Sequence, residues 1–231
     1  MAGRPGDPHA HHALQLSFAA AEPLHLRRGV DPVWTAYRAC LVPGSLRHAF
    51  DGSGRTSATI FVDPETPEGR ALQAQAAPNE ITRLDSADAR AAAGLIFGVW
   101  ADSHDCARLA PAAREAVRRL AGTTAPPGAT DPRVVGAIEL IRQRLDGRVT
   151  LTSLAKDLHV SPSRLRHLFV EEVGLPFRTY VLWQRLQRVL NGIGTENLTH
   201  AALAAGFADS AHMTRTFHRM LGLTPSAIVR E

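Results

Sequence analysis

A short text occurs twice in the C-terminal hundred residues, and it constrains the fold more than any other feature of the chain. Leu154-Ala-Lys-Asp-Leu-His-Val-Ser-Pro-Ser-Arg-Leu-Arg-His-Leu-Phe169 aligns with Ala201-Ala-Leu-Ala-Ala-Gly-Phe-Ala-Asp-Ser-Ala-His-Met-Thr-Arg-Thr-Phe217. Ala155 falls on Ala202, His159 on Gly206, Leu165 on Met213 and Phe169 on Phe217. The offset is 47 before the turn and 48 after it, so the second turn is one residue longer. Each copy reads as a short helix, a tight turn and a second helix. A small alanine stands where the helices cross, and a turn-tolerant residue follows it. One such match fits any pair of antiparallel helices; two joined by a single long helix are far more specific.

The text around the repeat is helical throughout. Asp131-Pro132 reads as an N-cap with proline in the first turn, followed by Val134, Val135, Ile138, Ile141 and Leu145 at helical spacing. Thr150 and Ser161-Pro162 cap the two helices of the first copy, and Gly174 stops the second of them. Pro176 opens a helix to about Ile193, ~27 Å long at 1.5 Å per residue. With Thr199 to Gly206, Asp209 to Leu221 and Pro225 to Arg230, seven helices are expected.

Upstream, the segment Gly122 to Pro132 lacks periodicity and holds three prolines, the best linker in the chain. Before it, residues 65–121 are Ala- and Arg-rich with helical spacing, notably Ala89–Trp100 and Cys106–Leu120. Residues 13–63 carry the β-prone runs ALQLSF, PLHLR, WTAYRACLVP and TSATIFVD between Gly, Pro and Asp turns. The expected organisation is α+β: residues 1–121, a linker over 122–131, and an all-α domain over 132–231.

Composition excludes several classes. With 231 residues, 45% hydrophobic and 21% charged, the chain buries a core without disulfides or structural metal. No apolar run reaches a membrane span, and the N-terminus does not read as a signal peptide. Cys40 and Cys106 form no spacing pattern, which points to a reducing cytoplasm. Residues 131–231 hold 13 Lys+Arg against 9 Asp+Glu, while residues 1–130 hold 13 of each. The whole net charge of +4 is thus C-terminal, a modest hint of a polyanion partner.

The C-terminal hundred residues resemble the DNA-binding domain of the AraC/XylS family of bacterial transcription regulators. The likeness runs through Gly206-Phe207, Ser210, His212-Met213, Arg215, Phe217, Gly222 and Pro225. The first copy agrees at Leu154-Ala155, Val160 to Ser163, Leu165, Phe169, Gly174, Phe177, Tyr180 and Arg185-Leu186. Two positions depart: Met213 where the family usually has an aromatic, and Ile228 where tyrosine is usual. Both keep volume and apolarity, so the fold is not in doubt.

Opposite the core stripe of Leu165, Leu168 and Phe169, the first copy turns out Ser163, Arg166 and His167, with Arg164 to one side. Opposite Met213 and Phe217, the second copy turns out Ser210, Ala211, His212 and Arg215. The resemblance implies base or phosphate contacts at these positions, with two helices in adjacent major grooves ~34 Å apart. Arginine forks onto guanine O6 and N7, so Arg166 is the leading base reader. Arg215 positions a phosphate or braces the fold as readily as it reads sequence. Arg185 and Arg188, on the connecting helix, reach either phosphates or salt-bridge partners.

The resemblance also implies a small cupin-like β-barrel over the N-terminal part, used to bind an effector or to dimerise. His9-Ala-His11-His12-Ala-Leu-Gln15 is similar to the first cupin motif, H-x-H-x3-E, with Gln for Glu; Pro43-Gly44 to His48 is similar to the second. Three readings stay open: a divalent metal on His9, His11 and His48, a metal-free effector pocket using Gln15, Arg38 and His48, or a fold relic. Cys40 is expected buried, and Cys106 sits near a helix start. The expectation is therefore a cytoplasmic transcription regulator without catalytic activity. Its expected partners are double-stranded DNA, a second copy of the chain, an effector, and RNA polymerase if it activates; none is a membrane. The alternative is a metal-dependent cupin enzyme fused to a DNA-binding domain, which the amide of Gln15 disfavours. A helical protein-binding module that no longer touches DNA is a third reading, against which the retained polar faces argue.

Overall fold

Every residue of the strand Leu14–Ala19 (β1) is buried, and its two faces are buried by different things. The computed structural model describes residues 5–103, 106–122, 130–192 and 197–228. They fall into two units, Met1–Pro127 and Gly128–Glu231. Most of the linker expected over 122–131 lies outside the described residues.

The N-terminal unit continues with β2 (Leu24–Arg28), β3 (Thr35–Tyr37), β4 (Ala39–Val42), β5 (His48–Asp51) and β6 (Ser57–Val62). Then come α1 (Pro67–Gln75), β7 (Thr82–Arg83), α2 (Ala87–Ser103) and α3 (Cys106–Ala121). One antiparallel sheet has the order β6-β1-β4-β7 and the other β3-β2-β5. Side chains alternate across a strand, so β1 serves two cores. Leu14, Leu16 and Phe18, with Ala39 and Leu41 of β4, pack on Leu72, Ala92, Ile96 and Leu120 of the helices. Ala19, Cys40 and Val42 pack instead with Leu24, Leu26 and Tyr37 of the second sheet. The unit is thus layered as helices, sheet, sheet.

No closed barrel is found among the described residues, in contrast to the barrel expected. The strands form two separate sheets, and no ladder between named strands joins the edges of one to the edges of the other, as closure requires. The run WTAYRACLVP also divides: β3 pairs with β2, whereas β4 pairs with β1. The chain changes sheets at Arg38. Cys40 is fully buried, and burial pushes its thiol up to about 12.

In the C-terminal unit lie α4 (Pro132–Gln143), α5 (Leu151–Asp157), α6 (Pro162–Val173), α7 (Phe177–Asn191), α8 (Leu198–Ala204), α9 (Ser210–Leu221) and α10 (Pro225–Ile228). Each start has a local cause. The side chains of Asp131, Thr150, Ser161, Asn197 and Asp209 accept hydrogen bonds from first-turn N–H groups of α4, α5, α6, α8 and α9. Hydrogen bonds from Arg133 hold the half-buried Asp131 carboxyl down to about 2. Gly174 and Gly222 end α6 and α9 in the left-handed conformation. Around the first helix pair, Val134, Ile138 and Ile141 pack with Leu154, Leu165, Phe169 and Tyr180. Phe169 meets Phe177 and Tyr180 edge to face, with ring centroids 5.7 and 5.2 Å apart. Around the second pair, Ala202, Phe207, Met213 and Phe217 are buried. Met213 therefore fills a core position, as its apolar side chain predicts; the side chain of Ile228 lies outside the described residues.

Candidate functional site

Helices α6 and α9 are amphipathic in the same sense. In α6, Leu165, Leu168, Phe169 and Val173 are buried, while Ser163, Arg164, Arg166 and His167 are exposed. In α9, Met213, Thr216, Phe217, Met220 and Leu221 are buried, while Ala211 and Arg215 are exposed. Ser210 and His212 are half-buried. The His212 ring stands edge-on to Phe207, centroids 5.4 Å apart, and its backbone N–H donates to Asp209 Oδ1 at 2.6 Å. Its imidazole is thus anchored at the start of α9. All eight residues named from the sequence lie on α6 or α9, away from the buried stripe.

The turns that set these helices differ in one instructive way. His159 and Gly206 both have positive φ, at 55° and 85°. His159 is exposed. At Gly206 a Cβ would lie 2.0 Å from the Leu145 carbonyl oxygen and 2.9 Å from Arg185 Nε. Only glycine fits both the conformation and the approach. Arg185 explains the crowding: its Nε donates to Leu145 O at 3.2 Å and its Nη2 to Gly147 O at 2.8 Å. Its guanidinium braces the end of α4 against α7, and partial burial lowers its pKa. Backbone carbonyls, and no carboxylate among the described residues, are thus the partners of Arg185; Arg188 is exposed on α7. Sequence reasoning also missed Gln184, a buried amide that donates to Tyr180 Oη at 3.1 Å and accepts from Arg142 Nε at 3.3 Å. Its i+4 spacing from Tyr180 on the buried face of α7 was the available signal.

In the N-terminal unit, His9, His11 and His48 come together, all buried, with candidate ligand atoms within 4.8 Å of one another. Gln15 joins them from β1: its Oε1 lies 3.0 Å from His11 Nε2 and 3.2 Å from His48 Nε2. Phe61 closes one side, edge-on to His11 at 4.9 Å. Burial and the neighbouring imidazoles lower the pKa of His11 to about 4 and that of His48 well below its ordinary value. Both rings are neutral at pH 7. Arg38 does not join them. It is exposed, donates to Ala21 O at 2.9 Å, and sits beyond the Phe18–Ala39 end of a ladder whose other end holds Gln15. His12, which the sequence reading left without a role, meets Glu65 at 2.8 Å in a buried contact. Their separation of 53 positions left no sequence signal for that pair. The side chain of Cys106 lies outside the described residues.

Comparison with known proteins bears on the C-terminal unit first. A family model described as a helix-turn-helix domain matches residues 154–231. The arabinose operon regulatory protein of Salmonella typhimurium is 30% identical over 99 residues, 42% of this chain and 35% of that protein. The C-terminal unit thus carries a helix-turn-helix domain similar to that of the arabinose operon regulators. The match spans about a third of the length of this curated AraC relative. Among solved structures, ToxT from Vibrio cholerae O395 shares the fold over 97% of this chain and 91% of its own, with a TM-score of 0.59 at 12% identity. A structure of wild-type ToxT from strain SCE256 with unsaturated fatty acid bound gives 0.57 at 11% identity over 97% and 89%. The helix-turn-helix domain is therefore joined, in this chain, to an N-terminal unit of ToxT-like fold. No helix among the described residues is long and apolar enough to cross a membrane.

Proposed function

We propose that this chain is a sequence-specific DNA-binding transcriptional regulator, with α6 and α9 as recognition helices in two adjacent major grooves. The observation that carries the reading is the pair of turn-linked helices whose exposed faces hold Ser163, Arg164, Arg166 and His167 on α6 and Ala211 and Arg215 on α9, in a unit matched by the helix-turn-helix family. Arg166 reads a guanine edge, Arg215 and Arg164 position phosphates, and the serines and histidines donate to bases or backbone. Residues 132–231 form the DNA-binding domain, and residues 1–121 the effector-binding and dimerising one. A ToxT structure with unsaturated fatty acid bound supports an effector for a chain of this fold, here with Gln15 and His48 facing the ligand. The regulator acts in the cytoplasm as a homodimer, without catalysis, and engages RNA polymerase where it activates. The enzyme alternative draws no support from the AraC-family relative, which is a regulator by name.

Selection of binding sequences from random duplex DNA by the full-length chain tests this reading. The expected result is a motif of two short blocks about one helical turn apart. No enrichment, by the full chain or by residues 131–231, sinks the reading.

A further inference from the structure

One hydrogen-bonding device fixes all three clustered imidazoles of the N-terminal unit. Nδ1 of His9 lies 2.8 Å from Asp7 O, Nδ1 of His11 2.8 Å from Ala13 O, and Nδ1 of His48 2.9 Å from Leu46 O. A carbonyl oxygen only accepts, so each Nδ1 carries the proton. A neutral ring then presents Nε2 as a lone pair. Yet Nε2 of His11 and of His48 both stand within 3.2 Å of a single acceptor, Gln15 Oε1. The amide nitrogen of Gln15 is engaged elsewhere, donating to Ser17 Oγ at 2.9 Å. With the Gln15 amide oxygen on this side, protons satisfy the arrangement only if both rings are imidazolium; with the amide turned round, its NH2 would donate to both Nε2 atoms. The His11 and His48 centroids are 5.1 Å apart, and His9 lies 4.4 Å from His48. Buried like charges at that separation are strongly disfavoured. A cation placed among the lone pairs satisfies every contact at once.

We propose that His9, His11 and His48 bind a divalent first-row transition metal through nitrogen, with Gln15 Oε1 as the oxygen ligand. Imidazole with one amide oxygen suits zinc, iron, nickel or copper and not calcium or magnesium. Ligand atoms within 4.8 Å of one another are close enough for an ion with bonds of ~2.1 Å to draw in by ring rotation. The Nδ1–carbonyl bonds are the outer contacts that hold ligating histidines in the right tautomer. The site ties three separate pieces together: the segment bearing His9 and His11, β1 through Gln15, and β5 through His48. All four ligands are neutral, so a bound ion keeps its charge of +2 and draws an anion to any remaining position. The inference deepens the effector part of the proposed function by naming the ligand class; the DNA part does not enter it.

Chelator-stripped, untagged full-length protein titrated with Co2+ provides the test. The expected result is visible absorption saturating at one equivalent, with a melting temperature that rises as Zn2+ is added. His11→Ala abolishes both signals, whereas His218→Ala, exposed on α9, leaves them unchanged. Gln15→Glu supplies a carboxylate and tightens binding on the order of tenfold. That variant creates no cavity, so it decides the matter even if His11→Ala does not fold. Folded wild-type protein with neither absorption nor bound metal overturns the proposal: the Gln15 amide is then turned round, its NH2 donating to both Nε2 atoms. DNA binding measured on the same samples separates the two readings. Its loss with metal binding intact counts against the regulator, and its retention without metal counts against the site alone.

Discussion

At the scale of single residues, two equivalent turn positions give a clean contrast. Gly206→Ala forces a Cβ to within 2.0 Å of the Leu145 carbonyl at φ of 85°. The left-handed conformation alone costs about 1–2 kcal/mol, and the clash adds to it, so urea unfolding should show a loss of at least that size. His159→Gly, at the matching turn, should change stability by less than about 1 kcal/mol, because relieved strain is offset by glycine's greater unfolded-state entropy. Equal losses at both sites would mean that the Leu145 carbonyl yields. Cys40 gives a second residue-scale expectation. Its thiol is raised from 9.0 to about 12, so the folded state binds more protons than the unfolded one across that interval. Stability therefore falls as pH rises from 9.0 towards 12. At pH 8 the buried thiol should resist maleimide in a Cys106→Ser background, and rapid native-state labelling would contradict its burial. On the DNA side, Arg166→Ala should cost about 1–3 kcal/mol at the selected site and relax one base position. Uniform weakening across all sequences would make Arg166 a phosphate contact.

At the scale of elements, helices were legible in the sequence because their stop and start signals are local. Asp131-Pro132, Thr150 and Ser161-Pro162 each mark a helix that forms where the cap puts it. Strands depend on partners far along the chain, and there the reading was coarser. Nothing in WTAYRACLVP announces that Tyr37 and Ala39 belong to different sheets. The His48–Asp51 strand was hidden between polar ends, and Thr82–Arg83 is too short to show an alternation. The site residues divide along the same line. His9, His11, Gln15 and His48 share a motif spacing and meet; Arg38 was assigned without a geometric signal and sits at the other end of the β1–β4 ladder. Because capping is local, it is also separable. Asp209→Ala removes the hydrogen bond to the His212 N–H and should cost about 0.5–2 kcal/mol, frayed at the start of α9. Asp209→Ser, which keeps a cap, should recover most of the loss and of the DNA affinity. Failure of serine to rescue would place Asp209 in a role beyond capping.

At the scale of the whole molecule, the charge distribution makes a claim that the fold alone does not. The entire excess of +4 lies in residues 131–231, and residues 1–130 balance to zero. A protein that neutralises Z phosphates loses affinity with a log–log salt slope of about −0.9Z. If DNA is held by the C-terminal unit alone, the fragment 128–231 and the full chain should share one slope per bound copy. The fragment has its own buried core around Leu154, Phe169 and Tyr180, so it should melt cooperatively by itself. Pairing through the N-terminal unit would raise the affinity of the full chain for a doubled site by effective concentration, with no new phosphate contact. The slope on a single site would stay where it was. A steeper single-site slope for the full chain would place N-terminal arginines on the DNA, and the division of labour between the two units would have to be redrawn.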